Sequence, residues 1–244
     1  MLTFGGRGIL LDIEGTTASI HFVYDVLFPF ARQKLDSYLH SQWESIALRE
    51  ACDQIARDAG WSSWPSDRRQ LAPTELRQRV RSETLRRMDV DAKTTGLKQL
   101  QGLIWQSGFE SGELLAVVFD DVPAALSAWQ RRGLDVRIYS SGSVLAQRLF
   151  FRHTSVGDLT KFLRGYYDTT SGSKKESTSY ERIAADIALP PAEILFVSDI
   201  TAELDAATEA GLQTALCQRA GNAPPPPNHG HPVIGSLAEI EITG

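Results

Sequence analysis

Cysteine is scarce in this chain: Cys52 and Cys217 are the only two in 244 residues, and they lie far apart. That spacing excludes a disulfide framework and a cysteine-built zinc site, and it makes a reducing cytoplasm the expected compartment. Long apolar runs are missing as well. No stretch approaches the roughly 20 residues that span a bilayer. The opening "MLTFGGRGILLD" lacks the charged and apolar regions of a secretory signal, so a soluble protein without a membrane partner is expected. There is no surplus of positive charge: 25 Lys and Arg face 30 Asp and Glu, a formal net charge of −5. Nucleic acid is therefore a poor partner, and the basic clusters "TLRRM" and "SDRRQ" read as solvated helix faces. His21, His153, His229 and His231 show no ligand spacing. No repeat and no coiled-coil run is present.

What the sequence does contain is a globular composition, 42% hydrophobic and 23% charged, with 19 Gly and 11 Pro. This suits one large domain or two smaller ones. Three short apolar runs stand out: "GILLD", "LDVRIYSS" and "EILFVSD". They read as central strands of a parallel sheet covered on both faces. Helical patterns lie between and after them. "DVPAALSAWQRRG" has a capping Asp121, Pro123 in its first turn and a stop at Gly133. "SVLAQRLFFRH", "KESTSYERIAADIAL" and "AELDAATEAG" follow. From about residue 120 strands and helices alternate, which predicts an α/β fold with a doubly wound parallel sheet. Residues 20–118 break the rhythm with helix-like stretches alone, so a helical insertion at 20–118 is expected inside a core made of 1–19 and 119–244. The segment "RAGNAPPPPNHGHP" reads as a surface loop, and "VIGSLAEIEI" as a possible return to the sheet.

Each of the three strands ends in a residue able to do chemistry: Asp12, Ser140 and Asp199. In an open α/β sheet the carboxyl ends of the strands form the ligand crevice, so folding brings these three together. A strand-end carboxylate is costly to bury unless a metal, a hydrogen-bond cage or a reaction compensates it. Glu14 adds a second acid beside Asp12, and a lysine pair, Lys174 and Lys175, precedes the third strand.

These residues resemble a known pattern. "DIEGTTASIHFVYDVLFPFAR", "LKQLQGLIWQSGFESGEL", "DDVPAALSAW", "IYSSGSVLAQRLFF", "YYDTTSGSKKESTSYERIA" and "RAGNAP" are similar to the enolase-phosphatases of methionine salvage, in the haloacid dehalogenase superfamily. The resemblance runs from about residue 9 to residue 223. Its most specific part is Asp-x-Glu-Gly-Thr-Thr, since most of the superfamily carries Asp where Glu14 stands. The resemblance implies a haloacid dehalogenase-like core with a helical cap acting as a lid. It implies Asp12 as the nucleophile, forming a transient aspartyl phosphate, and Glu14 as the acid and base. Ser140 and the backbone N–H of Ser141 would bind phosphate oxygens, with Lys174 as the fixed cation on the transferred group. Mg²⁺ would sit on Asp12, Asp199 and Glu14, the last through its carbonyl, with Glu203 supporting it through water. The implied substrate is 2,3-diketo-5-methylthiopentyl 1-phosphate, enolised and then dephosphorylated to an acireductone by a monomeric enzyme. Tyr24, Trp105 and Phe109 are candidates for the methylthio end.

Simpler roles stay open for several of these. Glu14 could stabilise a helix N-terminus, Ser141 could cap the following helix, and Glu203 could be a surface residue. Only the resemblance chooses Lys174 over Lys175. Leu115 and the run Pro224 to Pro227 depart from the family's more polar pattern. Two other functions compete: a phosphatase for another small metabolite without an enolase step, and a phospho-accepting receiver module. The receiver is compact and lacks an insertion after its first acidic strand end.

Overall fold

The computed structural model describes residues 1–243, Pro65 by its backbone only. Met1–Val23 and the chain from Leu115 onward form one compact unit, and Tyr24–Leu114 forms a second. The second unit thus begins at 24 and ends at 114, against the bounds of 20 and 118 read from the sequence.

The chain opens with strands β1 (Leu2–Phe4) and β2 (Gly8–Leu11). A π-helical stretch, Phe22–Leu27, then leads into the second unit. There the regular elements among the described residues are helices: α1 (Phe28–Ser41), α2 (Ile46–Asp58), α3 (Trp64–Gln70), α4 (Pro73–Asp89) and α5 (Thr95–Glu110). Helix α2 shows why. Ser45 caps it by accepting the Leu48 N–H at 3.3 Å, and Leu48, Ala51, Cys52, Ile55 and Ala56 repeat at helical spacing to form its buried face. These residues pack with Leu35, Leu39, Val80, Leu100 and Ile104 in one core. Gly96 lets α5 approach α2 closely, because a Cβ there would lie 2.5 Å from the Ile55 backbone nitrogen. Of the aromatic candidates for the methylthio end, for whose Trp and Phe members a place in the helical core is the simpler reading, Tyr24 is exposed and Phe109 is buried. Trp105 is half-buried and donates its indole N–H to the Leu27 carbonyl at 2.8 Å.

The first unit resumes with α6 (Val122–Arg131), β3 (Asp135–Tyr139), α7 (Val144–Arg152), β4 (Gly165–Tyr167) and α8 (Ser177–Ile187). It ends with β5 (Ile194–Ser198), α9 (Thr201–Glu209), β6 (Gln213–Cys217), β7 (Val233–Ile234) and β8 (Ile240–Ile242). Six strands form a sheet in the order β4-β3-β2-β5-β6-β7, and every neighbouring pair is parallel. All residues of β2 and β5 are buried, which accounts for their unbroken apolar runs. On one face of the unit Leu10, Tyr139, Tyr180, Ile183, Phe196, Leu204 and Leu216 pack together. "VIGSLAEIEI" divides: β7 extends the sheet, whereas β8 pairs with β1 in a separate two-stranded sheet. Strands β1, β4 and β6 were not legible in the sequence, two of them being only three residues long.

One helix cap differs from expectation. Asp121 does precede α6, but its carboxylate makes no cap there. It accepts instead from the Leu237 N–H (2.6 Å), the Ser236 hydroxyl (2.8 Å) and Arg219 Nη2 (2.9 Å). Burial pushes the carboxyl up, but these donors outweigh it and hold its pKa below the usual value. A depressed carboxyl contributes stability that is present above its unfolded pKa of about 3.9 and lost as pH falls through the folded value. Asp121→Asn should therefore cost about 1–3 kcal/mol at neutral pH. In urea denaturation followed from neutral pH into acid, the gap between wild type and variant should close as pH falls through the carboxyl titration.

Candidate active site

Strand order reverses at β2, with β3 on one side and β5 on the other, so a crevice opens beyond their carboxyl ends. Asp12 follows β2 directly, and its backbone N–H continues the ladder to the Val197 carbonyl at 3.0 Å. Ser140 follows β3 and Asp199 follows β5.

Asp12 is buried, and both of its carboxylate oxygens have polar neighbours. Oδ1 accepts from Lys174 Nζ and from the Ile13 N–H, both at 2.8 Å, and Oδ2 lies 3.3 Å from the Ser198 hydroxyl. Lys174 is also buried, and its ammonium reaches Glu203 Oε2 at 2.6 Å. Desolvation would lower the lysine pKa, but Asp12 and Glu203 outweigh it and raise it, so the ammonium stays charged. Lys175 is exposed. The turn that delivers Lys174 is pinned at its carbonyls: Tyr180 donates to that of Lys174 at 2.6 Å and Tyr139 to that of Gly172 at 3.0 Å.

Glu203, expected to support the metal through water, pairs its carboxylate with Lys174 and accepts the Ser198 hydroxyl at 3.0 Å. Burial, then the Asp12 charge, pushes its pKa up to about 7. Ser198 was not singled out from the sequence, although it sits just before Asp199 and its hydroxyl lies between Asp12 and Glu203.

The Glu14 carboxylate accepts the Ser140 hydroxyl at 3.2 Å. Burial first, and the charge of Asp12 second, raise its pKa. Ser140 Oγ in turn accepts the Gly142 N–H at 3.2 Å. The loop beyond β3 is held by Gln147, whose amide donates to the carbonyls of Gly142 (2.7 Å) and Tyr167 (2.8 Å). Ser141 is exposed, and the cap of α7 is Ser143, which accepts the Ala146 N–H at 3.3 Å.

Asp199 Oδ2 lies over Gly15, where a Cβ would come within 2.2 Å of it. Burial, then Asp12, pushes the Asp199 carboxyl up to about 7. Asp12, Glu14, Asp199 and Glu203 thus crowd one lysine. Among the described residues no three His, Cys, Asp or Glu side chains converge as a finished ligand set. What the site offers is two strand-end carboxylates, Asp12 and Asp199, with more acids than bases around them. That donor set fits a hard divalent cation such as Mg²⁺.

Comparison with known proteins agrees with this geometry. The profile of the haloacid dehalogenase-like hydrolases matches residues 7–211. An enolase-phosphatase E1 from Drosophila persimilis is 45% identical over 218 residues, covering 88% of this chain and 86% of that protein. The chain belongs to the enolase-phosphatase E1 family of haloacid dehalogenase-like hydrolases. A Ricinus communis relative, a probable bifunctional methylthioribulose-1-phosphate dehydratase/enolase-phosphatase E1, is also 45% identical. The match covers 95% of this chain but 46% of that protein, so the chain spans about half of its length. The crystal structure of the UTR4 protein from Saccharomyces cerevisiae superposes with a TM-score of 0.78 at 32% identity, covering 95% of this chain and 98% of that one.

The position of Asp199 makes Gly15 a critical residue of this family member. Its backbone is left-handed (φ +71°), which costs a residue with a Cβ about 1–2 kcal/mol before any clash. Gly15→Ala should lower the melting temperature and, by displacing the Asp199 carboxylate, reduce phosphatase activity more than tenfold, by order of magnitude. Unchanged activity in a phosphate-release assay would show that the Asp199 carboxylate can move without consequence.

Proposed function

We propose that this chain is a Mg²⁺-dependent enolase-phosphatase of methionine salvage. It would convert 2,3-diketo-5-methylthiopentyl 1-phosphate to 1,2-dihydroxy-3-keto-5-methylthiopentene and phosphate. The observation that carries this reading is Asp12 at the switch point of the sheet, paired with a buried ammonium and crowded by Glu14 and Asp199. The names of the relatives supply the substrate class. In the Ricinus communis protein the similar half shares a chain with a probable methylthioribulose-1-phosphate dehydratase.

In this reading two adjacent carbonyls acidify the proton on the phosphorylated carbon: its removal leaves an enolate, and protonation of the enolate oxygen gives the enol, with no net change in protons. An Asp12 carboxylate oxygen then attacks phosphorus in line, and the bond from phosphorus to the ester oxygen breaks. Glu14, whose pKa is raised by burial and then by the Asp12 charge, delivers its proton to that leaving oxygen. Lys174 balances the transferred phosphoryl group, and the Ser140 hydroxyl with the Ser141 N–H binds its oxygens. Glu14, now a carboxylate, takes a proton from water as the water attacks phosphorus. The acyl phosphate bond breaks and Asp12 is free again. Mg²⁺, held by Asp12, Asp199 and the Glu14 carbonyl, would neutralise the repulsion between carboxylate and phosphate. Two buried, unpaired thiols, Cys52 and Cys217, suit the cytoplasm.

The direct test is a time course on the diketone phosphate with Mg²⁺, following enol absorbance and free phosphate together. Both signals should appear. Phosphate release from simple esters with poor turnover of the diketone would move the substrate to another small phosphorylated metabolite. Asp12→Asn should lower turnover at least about a hundredfold with the fold intact. For Glu14→Gln, rapid-quench data with p-nitrophenyl phosphate, whose leaving group needs no acid, should show a burst of p-nitrophenolate close to the enzyme concentration, then slow turnover. No burst would remove Glu14 from the second proton transfer.

A further inference from the structure

The loop after β2 closes on itself and is then gripped from outside. Within the loop, the Ile13 carbonyl accepts the N–H groups of Thr16, Thr17 and Ala18 at 3.2, 2.9 and 2.9 Å, and the Gly15 N–H donates to the Ala18 carbonyl at 2.8 Å. Three further carbonyls of the loop are each taken by a distant residue. That of Gly15 accepts Asn222 Nδ2 at 2.9 Å, and that of Thr16 accepts Arg219 Nε and Nη2 at 3.2 and 3.0 Å. That of Thr17 accepts the Phe119 N–H at 3.0 Å.

Both side-chain donors come from "RAGN", just past β6, and both are themselves fixed. Arg219 is buried, lies 4.4 Å over the Phe119 ring, and is anchored by Asp121 (2.9 Å) and the Gly235 carbonyl (3.0 Å). Asn222 makes a second amide bond to the Cys217 carbonyl at 3.1 Å.

Gly15 shows what this grip does. The two peptide planes that flank its left-handed Cα are held by different partners. The Glu14–Gly15 plane is held by Ala18 through the Gly15 N–H. In a trans peptide the carbonyl points opposite to the N–H, so this bond also sets the direction of the Glu14 carbonyl. The Gly15–Thr16 plane is held on its N–H side by the Ile13 carbonyl at the longer 3.2 Å and on its carbonyl side by Asn222 at 2.9 Å, and together these close off the other conformations open to a glycine. Asp199 then packs against the bare Cα.

We infer that Asn222 and Arg219 are positioning residues: they lock the Gly15–Thr16 backbone so that Asp12, Glu14 and Asp199 keep their mutual placement. This rests on the phosphatase reading of the site, to which neither residue contributes a reacting atom.

The test uses full-length Asn222→Ala, which removes the amide, and Arg219→Lys, which keeps the charge but loses the planar fork. Turnover is read with the diketone phosphate and with p-nitrophenyl phosphate, well below the melting temperature. kcat should fall about ten- to a hundredfold while KM stays within about threefold. Backbone hydrogen exchange supplies a readout independent of chemistry. The Gly15 and Ala18 amides should exchange at least about tenfold faster, with β2 and β5 amides unchanged. A kcat within about twofold of wild type, or unchanged loop exchange, overturns the inference even if the melting temperature falls. If Asn222→Ala does not fold, Arg219→Lys decides by the same two readouts. If wild type hydrolyses only the simple ester, the substrate assignment fails and the kcat ratio on that ester still decides. If wild type releases no phosphate at all, the phosphatase reading fails and the exchange ratio alone decides.

Discussion

A buried ammonium between two carboxylates is the interaction on which the rest of the site depends. Lys174 spans Asp12 and Glu203 with almost no access to water. Removing one partner of such a pair leaves an unpaired buried charge, at a cost of about 3–5 kcal/mol. The surroundings reflect that constraint. Two tyrosine hydroxyls hold the turn carrying the lysine, and its Nζ lies 5.8 Å from the ring centroids of Tyr139 and Phe196. The Ser198 hydroxyl lies between the two acids, 3.0 Å from Glu203 and 3.3 Å from Asp12, and its oxygen accepts the Ile200 N–H at 3.1 Å. Aromatic core, hydroxyl network and ion pair thus form one continuous structure, joining the packing of the sheet to the chemistry at its edge.

The parallel sheet supplies the placement. β2 sits between β3 and β5, so residues one step beyond these strands converge without any long-range loop having to find them. Lys174 reaches the same point from the turn before α8. Four acids then share a site with one lysine, and the excess negative charge is what makes a hard cation suitable there. Burial first, and then the Asp12 charge, incline Glu14 toward holding a proton beside the proposed nucleophile.

Much of this was legible in the sequence because it depends on local pattern. The apolar runs of β2, β3 and β5 each end in a polar residue, and that alone indicated both the sheet and its functional edge. The helical character of the second unit followed from periodicity. Three-residue strands such as β1 and β4 carry too few side chains to show a period, and β8 owes its place to pairing with a strand at the opposite end of the chain. Side-chain partners were the least legible. Nothing local indicates that Asp121 turns away from its own helix toward Leu237, or that Glu203 reaches Lys174. Nor does "RAGN" announce that it grips a loop two hundred residues earlier, at Gly15 and Thr16. Those facts exist only once the fold has brought distant segments together.

The central claim is that the Asp12 carboxylate becomes phosphorylated during turnover. The most direct measurement is to quench the enzyme in acid during turnover of the diketone phosphate, reduce it with borohydride, and sequence its peptides by mass spectrometry. An aspartyl phosphate is reduced to homoserine, so the account predicts homoserine at position 12 and at no other acidic residue. Phosphate release with an unmodified Asp12, or with homoserine appearing elsewhere, would contradict it.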